Sequence, residues 1–460
     1  MRKNDPLTVL LRSFLLLSFL LGAGPQVQGQ LEAGGQAKQK LQELIELNEV
    51  FGQGHTGFAL YDLESKTYLY GSNADRRFVP ASNIKLLTLF LANRLLGHRV
   101  PGLYYQDFGD HLEAWGTGYP LLLHPEFTTY DEVGPWLAAQ TRPIVFHFPA
   151  SPGEEVARYG PGWSWDDYND GFVYERSALP IYGNRLFLDL SEVDAEGRQL
   201  LLGAPTSVVR LMQELPGQEI RIHRSEHGNN FTLAPDFTAR SRFPVERPLH
   251  LSVPLIRNEL AAAFPELGIT TGQATYPTAG PSLHQLEVSL PDTVFRRLLQ
   301  QSDNFLGEQL LIQAASKHYG RPDVGALLAY AVDTLLPAIG IENIRWVDGS
   351  GLSRYNLLTP RHFARLVIAL EQEIGRDRLL GLLAVGGRSG TLKTRFDNKG
   401  QPYVWAKTGT LSGVTCVSGL LLSRSEKWLA FSFMHNNYVG SSSPYYWEME
   451  KALGWVYENM

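Results

Sequence analysis

Residues 78–91, Phe78-Val79-Pro80-Ala81-Ser82-Asn83-Ile84-Lys85-Leu86-Leu87-Thr88-Leu89-Phe90-Leu91, change character at one point. Pro80 disfavours helix before it, while Leu86, Leu87, Leu89, Phe90 and Leu91 suit a buried helix that closes near Gly97. Ser82 opens that helix and Lys85 follows one turn along, so the two side chains share a face. A serine hydroxyl becomes a nucleophile only with a base in hydrogen-bond reach. Lys85 can be that base once burial or a nearby cation lowers its pKa. Free N–H groups at a helix start can also hold an oxyanion. Taken alone, Ser-x-x-Lys is an ordinary helical pair with a solvated lysine.

Two later strings make the pair specific. Ser302-Asp303-Asn304 separates one apolar helical run (Val294, Leu298, Leu299) from another (Phe305, Leu306, Leu310, Leu311). Ser302 can relay a proton between Lys85 and a leaving amine, and Asn304 offers both donor and acceptor to a substrate amide. Unassisted, the same string is a helix N-cap, a role it can hold as well. Lys407-Thr408-Gly409-Thr410 lies on a predicted strand. Gly409 permits close approach of a ligand backbone, Lys407 and Thr408 can grip a carboxylate, and the Thr410 N–H can complete an oxyanion hole with that of Ser82. Lys407 would also be the cation beside Lys85 if the fold brings them together.

Around these strings the chain divides. Arg2, Lys3 and Arg12 precede a short apolar core, Ser13 to Leu21, and small residues follow; this reads as an export signal over 1–29, cleaved before Gln30. The apolar run is short of the roughly 20 residues a membrane span needs, and peripheral membrane association is left open. Helical spacing of Leu41, Leu44, Ile45 and Val50 predicts a helix over 37–51. Strand-like runs at 57–62 and 66–71 form a hairpin before Ser82. From Arg99 to Val253 the texture turns to Gly, Pro, aromatics and short strands. Helical periodicity returns at 254–264 and 292–319, strands at 404–410, 414–422 and 428–434, and an aromatic-rich helix at 443–460. The expected architecture is an α+β catalytic domain, antiparallel sheet with helices, over 30–98 and 254–460, split by a mostly β insert over 99–253.

The 460 residues are 44% hydrophobic and 19% charged, which predicts a packed core rather than disorder. A net charge of −6 argues against nucleic-acid binding. Cys416 is the sole cysteine and sits among apolar residues, reading as core. His223-Arg224-Ser225-Glu226-His227 matches a zinc-binding pattern that requires a helix; its flanks read as strand and turn, and no metal is assigned. Asn230-Phe231-Thr232 is a formal glycosylation sequon.

The ordered set S-x-x-K, S-D-N, K-T-G is shared by penicillin-binding proteins and serine β-lactamases. Wider strings resemble one family within that group, the D-alanyl-D-alanine carboxypeptidase/endopeptidases, or class C low-molecular-mass penicillin-binding proteins. They are Asp348-Gly349-Ser350-Gly351-Leu352-Ser353-Arg354, Gly390-Thr391-Leu392-Lys393, Ala406 to Leu411 and, in the insert, Gly160-Pro161-Gly162-Trp163-Ser164-Trp165-Asp166-Asp167. The resemblance implies a penicillin-binding/β-lactamase-like transpeptidase domain. It implies cleavage of peptidoglycan stem peptides through an acyl-serine, β-lactams as covalent inhibitors, a periplasmic or cell-envelope location, and no cofactor. By position Ser82 resembles the nucleophile and Lys85 the general base; Ser302, Asn304 and Lys407 complete the site, with Thr408, Gly409, Thr410 and Arg354 binding substrate. Family members carry an acidic residue in the insert, before the Gly-Trp segment, that reads a diaminopimelate amine; the comparable stretch is taken to be Ile144 to Pro149, which has no carboxylate. Ser412 stands where some members have Gln. A β-lactamase or esterase on the same fold is the rival enzyme. A non-catalytic wall-binding protein is disfavoured by the intact Ser82, Lys85, Ser302 and Lys407.

Overall fold

The computed structural model describes residues 25–149, 151, 154–189, 202–210, 213–214, 222–233, 244–277 and 282–460. Helix α1 (Pro25–Ile45) precedes the hairpin of β1 (His55–Asp62) and β2 (Thr67–Ser72), and a 3-10 turn at Ala81–Asn83 opens α2 (Ile84–Leu95). Next come β3 (Arg99–Asp107), β4 (Leu112–Gly116), β5 (Ile144–His147), β6 (Arg185–Asp189), β7 (Leu202–Ala204), β8 (Gln213–Glu214), β9 (Ile222–Arg224), β10 (Phe231–Leu233) and β11 (Val245–Pro248). Helix α3 (Val253–Ala263), β12 (Ile269–Gly272) and β13 (Leu283–Ser289) follow. The chain ends with α4 (Asn304–Tyr319), α5 (Pro360–Ile374), β14 (Ala384–Val385), β15 (Val404–Leu411), β16 (Val414–Leu422), β17 (Trp428–Asn436) and α6 (Ser443–Asn459).

The central sheet runs β14-β15-β16-β17-β1-β2, antiparallel throughout. Successive strand side chains point to opposite faces, and both faces are covered. Val414, Cys416 and Leu420 of β16 pack with Leu87, Phe90, Leu310 and Phe363 from α2, α4 and α5. Val417 and Leu421 pack on the other side with Leu41, Ile45, Met449 and Leu453 from α1 and α6. This three-layer α+β sandwich explains why strands 414–422 and 428–436 read as continuous apolar runs. Among the described residues no single helix is long and apolar enough to cross a membrane.

The structure differs from the sequence reading in two places. The first helix stops at Ile45, because the Asn48 side chain takes the N–H groups of Val50 (2.9 Å) and Phe51 (3.2 Å) and offers the backbone a turn instead of another helical bond. The insert does not end at Val253: its main sheet has the order β12-β5-β4-β3-β13, and β12 and β13 both follow that residue. β13 pairs with β3 from Leu283↔Gln106 to Ser289↔Arg99, carrying the inserted sheet to Ser289. Local periodicity marked α3 correctly but could not show which sheet the next strands would join. The export signal expected over 1–29 lies outside the described residues except for 25–29, which begin α1. The remaining insert strands form two small sheets, β11-β6-β7 and β8-β10-β9. His223 falls on β9 and His227 beyond it in a turn.

Candidate active site

Ser82 sits in the 3-10 turn ahead of α2, where Ala81 adopts φ 48° and tightens the entry. Lys85, one turn on, is fully buried. Its Nζ lies 3.0 Å from Ser82 Oγ and donates to Asn304 Oδ1 (2.5 Å) and the Ser350 carbonyl (2.5 Å). Burial lowers the Lys85 pKa to about 8, against the opposing pull of Asp348, Asp303 and Glu308. A neutral amine has two N–H bonds and one lone pair. Both carbonyl-type oxygens can only accept, so they take the two N–H bonds and the lone pair is left facing the Ser82 hydroxyl.

The second string is held in a strained conformation. Ser302 is left-handed (φ 60°, ψ 38°) between the π-helical turn Arg297–Gln301 and α4, at a cost of roughly 1–2 kcal/mol. Asp303 caps α4 by accepting from Leu306 N at 3.0 Å. Its other oxygen accepts from Arg185 Nη2 (3.1 Å) and Arg297 Nε (2.8 Å). Burial alone would raise the Asp303 pKa, but these two guanidiniums hold it well below the usual carboxylate range. Asn304 Nδ2 donates to the Phe172 carbonyl at 2.7 Å, so the insert orients the amide whose oxygen faces Lys85.

Lys407 is fully buried and lies beneath the cleft, donating to Ser302 Oγ (2.9 Å) and the Thr408 carbonyl (2.6 Å). Burial, then repulsion from Lys85, pushes its pKa well down. The cation expected to grip a substrate carboxylate is thus spent on Ser302, and Ser302 is joined to Lys407 instead of directly to Lys85. Gly409 also has a different task from the one expected. A Cβ there would lie 2.6 Å from the Pro80 carbonyl oxygen and 3.0 Å from Ser82 N, so its bareness lets β15 press against the nucleophile's own turn. Thr408 Oγ1 bonds Thr391 Oγ1 at 2.7 Å, and Thr410 Oγ1 lies 3.0 Å from the Tyr446 hydroxyl. β14 pairs only with Trp405 and Ala406, so among the described residues β15 has no strand neighbour on that side from Lys407 to Leu411.

A cleft of about 540 Å³ opens above these groups, bordered by Ser82, Ser302, Asn304, Thr410 and Arg354 and by Trp163, Asp167 and Phe172 of the insert. Arg354 is exposed and donates to the Ser412 carbonyl at 2.9 Å. The insert is bolted to the 348–353 loop: Trp163 Nε1 donates to the buried Asp348 Oδ2 (2.9 Å) and Ser353 Oγ to the Pro161 carbonyl (2.6 Å). The insert does bring a carboxylate to the cleft, that of Asp167. Burial and the neighbouring Asp166 and Asp170 raise its pKa, while Arg354 draws it down. Ile144 to Pro149 lies elsewhere: it supplies β5, and its end, His147 to Pro149, borders a different cavity. Asp167 was legible in the quoted Gly160–Asp167 string, two residues past Trp165. Arg185, Arg297 and Glu308 carried no local signal.

A serine and a buried lysine fixed one helical turn apart, beneath a sheet edge and between helical layers, place the molecule in the penicillin-binding/β-lactamase-like class. Within that class its family is definite: residues 155–453 match the D-Ala-D-Ala carboxypeptidase 3 (S13) family, and the chain belongs to it. Ser82 and Lys85 precede the matched stretch. The chain is 25% identical over 300 residues to the D-alanyl-D-alanine carboxypeptidase DacB of Haemophilus influenzae, covering 61% of this chain and 62% of that protein. It is 32% identical over 151 residues to carboxypeptidase DacB of Mycolicibacterium smegmatis, covering 31% of this chain and 33% of that one. The matches thus span less than two thirds of these relatives' length. The crystal structure of penicillin binding protein 4 (dacB) from Haemophilus influenzae superposes with a TM-score of 0.68 at 18% identity, over 91% of this chain and 99% of that one, and so shares the fold.

Proposed function

We propose that this protein is a serine D-alanyl-D-alanine carboxypeptidase/endopeptidase that cuts peptidoglycan stem peptides through an acyl-Ser82 intermediate, and that β-lactams acylate the same serine. The observation that carries this reading is the Lys85 amine, whose two N–H bonds are claimed by Asn304 Oδ1 and Ser350 O and whose lone pair is left for Ser82. Ser82 Oγ attacks the substrate carbonyl carbon as its proton passes to Lys85. The carbonyl oxygen becomes an oxyanion facing the N–H groups of Ser82 and Thr410. Collapse breaks the C–N bond, and the proton that Lys85 took from Ser82 passes to the leaving nitrogen by way of the Ser302 hydroxyl, whose oxygen is held by Lys407, leaving Lys85 neutral again. Water then attacks the ester with Lys85 again as base, releasing the shortened peptide and free Ser82. The unpaired stretch of β15 suits a substrate backbone added alongside it, and Asp167 beside Arg354 suits a side chain bearing an amine.

Family membership supports the reaction, and a β-lactam complex of the Haemophilus influenzae protein supports penicillin as a probe. The basic and apolar N-terminus supports export to the periplasm or cell envelope, which N-terminal sequencing of the secreted protein checks. The decisive experiment is incubation with a fluorescent penicillin, location of the adduct by mass spectrometry, and measurement of D-alanine release from a muropeptide digest. An adduct on Ser82 that vanishes in Ser82→Ala is expected. Labelling that persists in that variant, or no labelling at all, refutes the assignment.

A further inference from the structure

Lys85 can serve as base only while the Ser350 carbonyl faces it, and that carbonyl belongs to a loop held by two buried carboxylates. Glu308 Oε1 accepts from Gly349 N (2.9 Å) and Ser350 N (2.7 Å), and Asp348 Oδ1 accepts from Gly351 N (3.1 Å). Three consecutive N–H groups are therefore pinned on one side, and the Ser350 carbonyl, opposite the Gly351 N–H in the same peptide plane, points at Lys85 Nζ. The loop reaches Glu308 because glycines meet at the crossing: a Cβ on Gly307 would lie 2.8 Å from the Gly349 carbonyl oxygen. Thr88 of α2 donates to that same oxygen at 2.8 Å and closes the loop against the nucleophile's helix.

The second oxygen of Glu308 has no hydrogen-bond partner among the described residues and faces Arg176 Nη1 of the insert at 3.6 Å. Arg176 is itself fixed to insert backbone, through Nε to the Ala157 carbonyl (2.9 Å) and Nη2 to the Tyr159 carbonyl (3.2 Å). We propose that Glu308 is a positioning residue of acylation, aiming the Ser350 carbonyl so that the Lys85 lone pair stays on Ser82, with Arg176 of the insert as its counter-ion. The proposal rests on the reading of Ser82 and Lys85 as nucleophile and base, and gives the insert a part in the chemistry beyond walling the cleft.

Charge supplies the test. Asp348, Asp303 and Glu308 face Lys85 and favour its ammonium form against burial, and Lys85 in turn pushes the pKa of Lys407 down. Burial and Asp348 raise the Glu308 pKa, and Arg176 draws it down. The experiment follows Ser82 acylation by a fluorescent penicillin against pH in the full-length chain. Removing the negative charge in Glu308→Gln should lower the Lys85 pKa, moving the acid limb about one pH unit lower. Glu308→Asp keeps the charge but is one methylene short; its midpoint should stay in place while the plateau rate falls about tenfold or more. Arg176→Gln, which removes a cation and leaves the Glu308 charge uncompensated, should shift the midpoint the opposite way, to higher pH, and serves if Glu308→Gln does not fold. A purely structural Glu308 would lower the melting temperature and slow every pH equally. A Glu308→Gln or Arg176→Gln midpoint equal to that of the parent, or a Glu308→Asp plateau equal to it, overturns the proposal. If the parent protein takes no label, the functional reading fails, and a ¹⁵N-lysine NMR titration of Lys85 in parent and Glu308→Gln still decides the electrostatic link.

Discussion

Replacing Arg185 by Met tests whether the insert holds the S-D-N string in place. Arg185 is almost wholly buried, stacks at 4.4 Å on the Tyr174 ring, and donates to Asp303 Oδ2 (3.1 Å) and Glu246 Oε2 (2.6 Å). Methionine keeps the apolar stem but leaves Asp303 with Arg297 as its remaining cation. Breaking a buried pair from one side costs about 3–5 kcal/mol, and the surviving Arg297 contact puts the expected loss near the lower end. For 460 residues unfolding together, at about 2.1 cal/mol/K per residue, that corresponds to a fall of roughly 3 °C in unfolding temperature. Asp303→Asn retains the cap, since Asn serves that position as well as Asp, but removes the charge. The double variant should therefore be less destabilised than the sum of the singles by about 1.5 kcal/mol or more. Asp303 is held below its ordinary pKa in the folded chain, so its pairing adds stability above pH about 4 and loses it as the pH falls towards the folded value. The Arg185→Met deficit is thus largest near neutrality and narrows in acid. Calorimetry across that range measures both effects. Additivity of the two substitutions within about 0.5 kcal/mol, or a deficit independent of pH, would refute the reasoning.

Three further outcomes follow from the site. Because Lys85 must lose a proton before it can accept one from Ser82, acylation should climb with pH and be half-maximal near pH 8; stopped-flow labelling that is flat from pH 6 to 9 contradicts this. Gly409→Ala places a methyl against the Pro80 carbonyl and Ser82 N, and should slow acylation about 100-fold by displacing the nucleophile's turn, while parent-like rates would show that β15 can yield there. Trp163→Phe strips one donor from the buried Asp348 and should cost about 1–3 kcal/mol in urea unfolding; an unchanged midpoint would mean that the carboxylate finds another partner.

The sequence by itself determined the elements that local patterning encodes. The helix behind Ser82 follows from Pro80 and the leucine run, and the strands expected at 404–410, 414–422 and 428–434 from apolar stretches broken by short turns; the structure extends the first to Leu411 and the last to Asn436. Three strings about 100 to 220 residues apart could be recognised because each has a fixed internal spacing. Only the tertiary structure decided what stands between them. It buried Lys407 and turned it onto Ser302, filled the space at Gly409 with the chain's own turn, drew β12 and β13 into the inserted sheet, and brought Asp167 to the cleft. Burial and charge pairing are properties of a neighbourhood assembled from distant segments. Arg185 and Asp303 are 118 positions apart, and Lys85 and Ser350 are 265 apart, and no window of sequence contains both members of either pair. Residue spacing is written locally, whereas the pKa of Lys85 and the direction of its lone pair arise only when α2, α4, the 348–351 loop and the insert are packed together.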